Sequence, residues 1–178
     1  VTADLTGHLA GPAAAPRLAV TRVGVTGHRV IPASVLPVVR AALRHRFGRP
    51  GAELEALSCL AAGTDQLFAE TALAHGIPLT AVIPGMDYEA HLDDEEARAA
   101  YRRLLRSCTT RVDLPVQPTH EQAYFAAGCW LVDHCDHLVA VWDGRPARGH
   151  GGTGDVVAYA RSRGVPVEVL WRTGVRRD

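Results

Sequence analysis

The chain has 178 residues, 47% hydrophobic and 21% charged, with 19 basic and 19 acidic side chains balancing to a formal net charge of zero. That length and apolar content suit one globular domain with a real core and exclude a disordered or fibrous chain. The zero balance offers no global field to a nucleic-acid backbone or an anionic membrane, so any anion site has to be local.

Residues 1–16 mix Ala, Gly, Pro and Thr without a period that would bury a face, and are expected to form a loosely held arm ahead of a domain over 17–178. From residue 18, short β-branched runs alternate with helical segments, the signature of βαβ units in a parallel sheet. A strand over 18–25 leads through the loop "TGHRVIP" into a helix over 34–47. That helix sets Val35, Val38, Val39, Ala42 and Leu43 on one face and carries Pro37 in its first turn. A strand over 56–60, the loop "AAGTD" and a helix over 65–75 follow, the last closed by Gly76. The strand "IPLTAVIP" then leads through "GMDYEA" into a charged helix over 89–107, acids near its start and arginines near its end, which reads as a solvated face. After a short strand over 111–114, "THEQAYFAAGCWLVDHC" reads as a helix with Thr119 as N-cap and Gln122 completing a capping box. The strand "HLVAVW", the loop "DGRPARGHGGTG", the helix "TGDVVAYARSRG" and the strand "VPVEVLW" complete the series. The predicted architecture is α/β: a single Rossmann-like, doubly wound domain with a mainly parallel sheet of about six strands and helices on both faces.

In such a sheet, ligands bind beyond the carboxyl ends of the strands, near where strand order reverses. The loops "TGHR", "AAGTD", "PGMDY" and "DGRPARGHGGTG" are therefore expected to converge. In the last of these, Gly151, Gly152 and Gly154 let the backbone approach a ligand, Thr153 adds a hydroxyl, and the following helix aims free N–H groups at the same place, which suits a phosphate. Of Arg29, Arg145 and Arg148, Arg29 is the strongest candidate for a charge-assisted phosphate contact, because it lies in a strand-to-helix loop. Asp143 is placed to accept hydrogen bonds from ribose hydroxyls, or simply to turn the chain with Gly144. His28 either polarises a phosphate or hydrogen-bonds within its loop. Gly27 belongs to the phosphate side of the site, and Gly63 and Thr64 to its other wall.

No apolar run reaches the roughly 18 residues that span a bilayer, so a soluble, cytoplasmic protein is expected. Cys59, Cys108, Cys129 and Cys135 show no CxxC spacing and read as reduced thiols. Cys129, His134, Cys135 and His137 match no structural-zinc spacing, so neither a metal nor a cofactor is expected.

Over residues 18–171, the chain resembles the SLOG superfamily of Rossmann-like domains, on "VGVTGHR", "SCLAAGTDQLFAE", "AVIPG" and "CDHLVAVWDG" followed by "GGTGDVVAYARSRGVPV". That superfamily includes the LONELY GUY phosphoribohydrolases once labelled lysine decarboxylases, molybdenum-cofactor carriers, DNA-processing proteins and nucleotide-derivative sensors. The resemblance implies a nucleotide-binding domain that holds a phosphorylated nucleoside or an ADP-ribose-type ligand as sensor or carrier. The alternative it implies is a nucleoside 5′-monophosphate phosphoribohydrolase. The hydrolytic branch reads PGGxGTxxE at the glycine loop, and here the glutamate position falls on Ala158 and the threonine position on Asp155. In the related nucleoside deoxyribosyltransferases the acid position falls on Val156, leaving Asp155, one residue early, as the candidate catalytic acid. Asp155, Asp143 and Glu121 are the acids expected near the site, a shortage that favours binding over N-glycosidic cleavage, which needs positioned acids. The resemblance further implies a homodimer or higher homo-oligomer, with "WLVDHC" as a candidate seam. No membrane partner is expected, and the neutral charge makes nucleic acid an unlikely one.

Overall fold

The computed structural model describes residues 20–85, 87–92 and 94–177. The expected arm at 1–16 lies outside them. Six strands, β1 (Thr21–Gly27), β2 (Leu54–Ser58), β3 (Leu79–Ile83), β4 (Thr110–Asp113), β5 (His137–Val141) and β6 (Val167–Val169), form one sheet in the order β4-β3-β2-β1-β5-β6. Every pairing is parallel. Five helices connect them: α1 (Leu36–Phe47), α2 (Thr64–Ala74), α3 (Glu95–Ser107), α4 (His120–His134) and α5 (Thr153–Ser162). This is the predicted doubly wound α/β architecture.

Strand alternation divides the core into two layers. Val23, Val25, Ala56, Ala81, Val139 and Val141 pack with Val39 and Leu43 of α1, Phe68 of α2 and Leu104 of α3. Leu57 and Leu138 pack on the other face with Leu131 and Val132 of α4 and Val156 of α5. Leu131 approaches so closely that a Cβ on Gly24 would lie 2.2 Å from its Cδ2, so β1 needs a residue without a side chain there. In the "WLVDHC" segment, Leu131 and Cys135 are buried within the chain's own core, and Trp130 is half-buried and stacks on His134.

Several boundaries differ from expectation, two of them for a clear local reason. The charged segment expected as one helix over 89–107 divides into a 3-10 turn, Tyr88–His91, and α3, because Asp94 is the N-cap and its carboxylate accepts from the Ala97 amide at 2.7 Å. β1 runs on to Gly27, because Thr26 and Gly27 continue the ladder with Ala140 and Val141 of β5. Thr119 caps α4, its hydroxyl accepting from the Gln122 amide. All four cysteines are free. Among the described residues no helix is long and apolar enough to cross a membrane.

Candidate functional site

β1 leads to its neighbours β2 on one side and β5 on the other, so the strand order reverses between β1 and β5, and the crevice of a doubly wound sheet opens there. A cleft of about 530 Å³ lies at this point. One wall is the β1–α1 loop, with Gly27, His28 and Arg29, and the facing wall is the β5–α5 loop from Ala147 to Thr153. Glu121 and Tyr124 of α4 flank the cleft, with Tyr88 and Asp65 also contributing to its lining.

The glycine-rich wall is shaped by what it rests on. Gly151 has φ +80°, and a Cβ there would come within 2.8 Å of the Glu121 carbonyl oxygen and the Phe125 amide nitrogen. The loop is thus seated directly on the α4 backbone, with the His150 ring 4.8 Å from that of Phe125. No side chain caps α5, whose N-cap is Gly152; the Asp155 amide donates to the Gly152 carbonyl at 3.0 Å, and among the described residues the Thr153 and Gly154 amides of the first turn have no partner. Arg29, Arg148 and Arg177 line the cleft with Glu121 and Asp65, and Arg177 is paired with Asp143, so positive charge is gathered there locally despite the neutral total. Arg145 is not in the lining.

Six of the twelve residues singled out from the sequence line this cleft: Gly27, His28, Arg29, Gly151, Gly152 and Thr153. The other six are not in its lining. Gly63 (φ +77°) backs onto the Arg29 carbonyl, and the Thr64 hydroxyl donates to the His28 carbonyl at 2.8 Å, so both shape the first wall from the rear. Gly144 turns the chain with φ +81°, and Gly154 packs on the backbone of Ala147 and Arg145. Asp155 accepts a hydrogen bond from the Gly151 amide at 2.9 Å, so its carboxylate fixes the shape of the glycine loop.

Asp143 stands beneath the cleft with its side chain only 1% exposed. Its Oδ1 lies 3.2 Å from His28 Nε2 and accepts from the Arg145 amide at 3.1 Å. Oδ2 is buried without a hydrogen bond, 3.4 Å from Arg177 Nε. Burial works to raise the Asp143 pKa, but the Arg145 amide, the Arg177 charge and His28 outweigh it and hold the carboxyl below its ordinary value. Burial lowers the pKa of His28, with Asp143 opposing the shift. The His28 ring also packs edge-on against Trp171 at 5.3 Å. His28 and Asp143 are therefore joined to each other across two loops, whereas the sequence had offered His28 a hydrogen bond within its own loop.

Asp65 is the acid that sequence inspection left out. It is buried in the first turn of α2 and accepts from the Cys59 amide at 3.2 Å. Burial pushes its pKa up to about 7, against the Ala61 and Cys59 amides, the Ser58 hydroxyl and the Arg29 charge. Its place right after the Gly-Thr of "AAGTD" was the available signal. Next to it, Leu60 is fully buried with φ +58°, its N–H donating to Ser58 Oγ at 3.1 Å and its carbonyl accepting from Gln66 Nε2 at 3.2 Å. This strained residue turns β2 sharply into the loop. The folded chain keeps Asp65 protonated to about pH 7, whereas an unfolded aspartate ionises near pH 4, so this group reduces stability as pH rises between those values. Asp65→Asn imitates the protonated form. Relative to the parent, it should gain about 3 kcal/mol between about pH 4 and pH 7, measured by urea unfolding across that range. An unchanged difference between the two proteins at all pH values would contradict this assignment.

No family model matches the chain and no curated protein does. Solved structures do match. DNA processing protein A from Streptococcus pneumoniae aligns at TM-score 0.62 with 18% identity, covering 84% of this chain and 50% of that one. The Helicobacter pylori protein of the same name, described for its unique single-stranded DNA binding mode, aligns at 0.64 with 13% identity, covering 89% and 68%. TM1055, a structural-genomics target, aligns at 0.55 with 16% identity, covering 83% and 72%. These likenesses show a Rossmann-like α/β fold. At such identities they speak to the fold, and the chain spans half the length of the pneumococcal protein.

The expectation that nucleic acid is an unlikely partner has to be corrected. It rested on net charge alone, and a neighbour in fold is described by its single-stranded DNA binding. Net charge sums over the whole surface, whereas a phosphate within a Debye length of roughly 8–10 Å responds to the arginines of one cleft.

Proposed function

We propose that the chain is a nucleotide-binding domain that holds a phosphorylated nucleoside, or a nucleotide-derived ligand of the ADP-ribose type, in the cleft between β1 and β5, as a sensor or carrier. The observation that supports this best is the meeting of the uncapped start of α5, the glycine wall and three arginines in one crevice at the strand-order reversal. The phosphate sits at the start of α5, on the Thr153 and Gly154 amides, opposite Gly27 and Arg29, with Arg148 at the mouth. Tyr124 and Tyr88 offer aromatic surface to the nucleoside. A binding role also agrees with Asp155, whose carboxylate is engaged with the loop amide.

The test is equilibrium binding of a panel of nucleoside monophosphates, diphosphates and ADP-ribose, followed by fluorescence competition. Arg29→Ala and Arg148→Ala should each weaken the best ligand about tenfold or more, the loss expected of a charge-assisted hydrogen bond. Unchanged affinity in both variants would remove the phosphate assignment. A second reading, a single strand of DNA lying along the same cleft, is favoured by the described binding of the Helicobacter pylori neighbour. Tight binding of an oligothymidylate that falls steeply with salt and that no mononucleotide displaces would make it the better of the two.

A further inference from the structure

Outside the phosphate-facing walls, the described residues bring together one set of metal-type donors, and it was not foreseen. Asp87 precedes the 3-10 turn, His91 ends it, and His120 is the first residue of α4. One donor atom from each lies within 4.8 Å of the other two. The two imidazole rings are 3.8 Å apart, centroid to centroid, and tilted by 46°. Nδ1 of His91 lies 2.9 Å from the Asp87 carbonyl oxygen. A carbonyl can only accept, so Nδ1 carries the hydrogen and Nε2 of the neutral ring keeps its lone pair. The same pattern orients metal-bound histidines, whose second nitrogen is usually tied to a carbonyl or carboxylate. Asp87 and His120 are exposed, Oδ2 of Asp87 lies 3.9 Å from Nδ1 of His91, and an ion held by bonds of roughly 2.0–2.2 Å requires the three side chains to turn toward it.

We propose that Asp87, His91 and His120 bind a divalent cation of the zinc class at the rim of the cleft. Two imidazoles and a carboxylate are a donor set for zinc, cobalt or nickel, and a poor one for magnesium or calcium, which take oxygen ligands. Three protein ligands leave a fourth position open, unlike the closed shells of structural zinc sites. The site joins the turn before α3 to the start of α4. Its immediate chain neighbours Tyr88 and Glu121 line the cleft, and the His120 ring stacks on that of Tyr124, another lining residue, at 6.4 Å and 27°. A bound cation would therefore fix the α4 side of the cleft rim and add positive charge beside it.

The experiment is titration of the untagged full chain with cobalt(II), read by visible d–d absorption, and with zinc(II), read by calorimetry. Binding of one equivalent at micromolar affinity is expected, with visible bands whose intensity indicates four- or five-coordination. His91→Ala and His120→Ala should each weaken it at least tenfold. His134→Ala serves as the control, because that imidazole stacks on Trp130 at the far end of α4 and should leave binding unchanged. Circular dichroism of each variant checks that the fold persists, and Asp87→Asn gives a second, milder variant with the same expected direction. Binding weaker than millimolar, or binding that survives His91→Ala and His120→Ala, would overturn the proposal. Neither result depends on a nucleotide, so this proposal and the nucleotide-binding one stand or fall separately.

Discussion

Gly63→Ala should destabilise the fold by about 3 kcal/mol or more and, on the proposed function, remove nucleotide binding. Gly63 has φ +77° and ψ −111°, a region open to glycine and closed to alanine, and an added Cβ would stand 1.9 Å from the Arg29 carbonyl oxygen and 2.5 Å from its carbonyl carbon. Backbone cannot rotate away as a flexible side chain can, so the wall carrying Arg29 has to move. That movement pulls on the bonds to the His28 carbonyl from the Thr64 hydroxyl at 2.8 Å and from the Thr64 amide at 3.3 Å. Gly76→Ala is the matched comparison. It also has positive φ, at +70°, yet nothing lies within 4 Å of the added Cβ, so its cost should stay near the roughly 1 kcal/mol of the backbone penalty alone. Urea unfolding of the two variants side by side separates crowding from conformation, and equal losses would contradict the close approach at Gly63.

Asp143→Ala should cost roughly 2–4 kcal/mol, the range for removing a buried, hydrogen-bonded carboxylate whose partners cannot all find water. Arg177 is 14% exposed and can partly turn outward, whereas His28 is 9% exposed and has less room to do so. The pH dependence has a definite sign. The folded-state pKa of Asp143 is held down, so its contribution is present above the ordinary aspartate value near 4 and is lost as pH falls through the lower folded value. The gap between parent and variant should therefore close in acid. Asp143 also opposes the burial that lowers the His28 pKa, so in the milder Asp143→Asn variant the His28 ring should titrate at a lower pH, as followed by NMR of its ring protons. A His28 midpoint that rises or stays fixed in that variant would contradict the pairing.

The alternation of β-branched runs with amphipathic segments is local, so strand and helix order could be read from the chain, as could the caps at Thr119 and Gly76. The parallel sheet and the place of the crevice followed from the βαβ alternation and from the reversal of strand order in a doubly wound sheet. The depth of a side chain was not accessible in this way. Asp143 follows a strand and looked available to a ribose, yet His28 and Arg177, from distant segments, join the adjacent Arg145 in enclosing it. Arg177 carried no local signal, since it reaches the cleft through tertiary contacts, donating also to the Pro146 carbonyl at 2.6 Å. The split of the 89–107 segment at Asp94 was hidden because acids are equally at home in a first helical turn and at a cap.

The two walls of the cleft arise from adjacent strands but distant parts of the chain, with His28 and Asp143 in contact across 115 residues of sequence. A ligand gripped by both walls acts as a removable crosslink between the beginning and the end of the domain. Its binding free energy then opposes separation of β1 from β5, an event that opens the centre of the sheet and ruptures both core layers. Saturation should accordingly slow amide hydrogen exchange deep in β1 and β5 as well as in the loops it touches, and raise the melting temperature with ligand concentration.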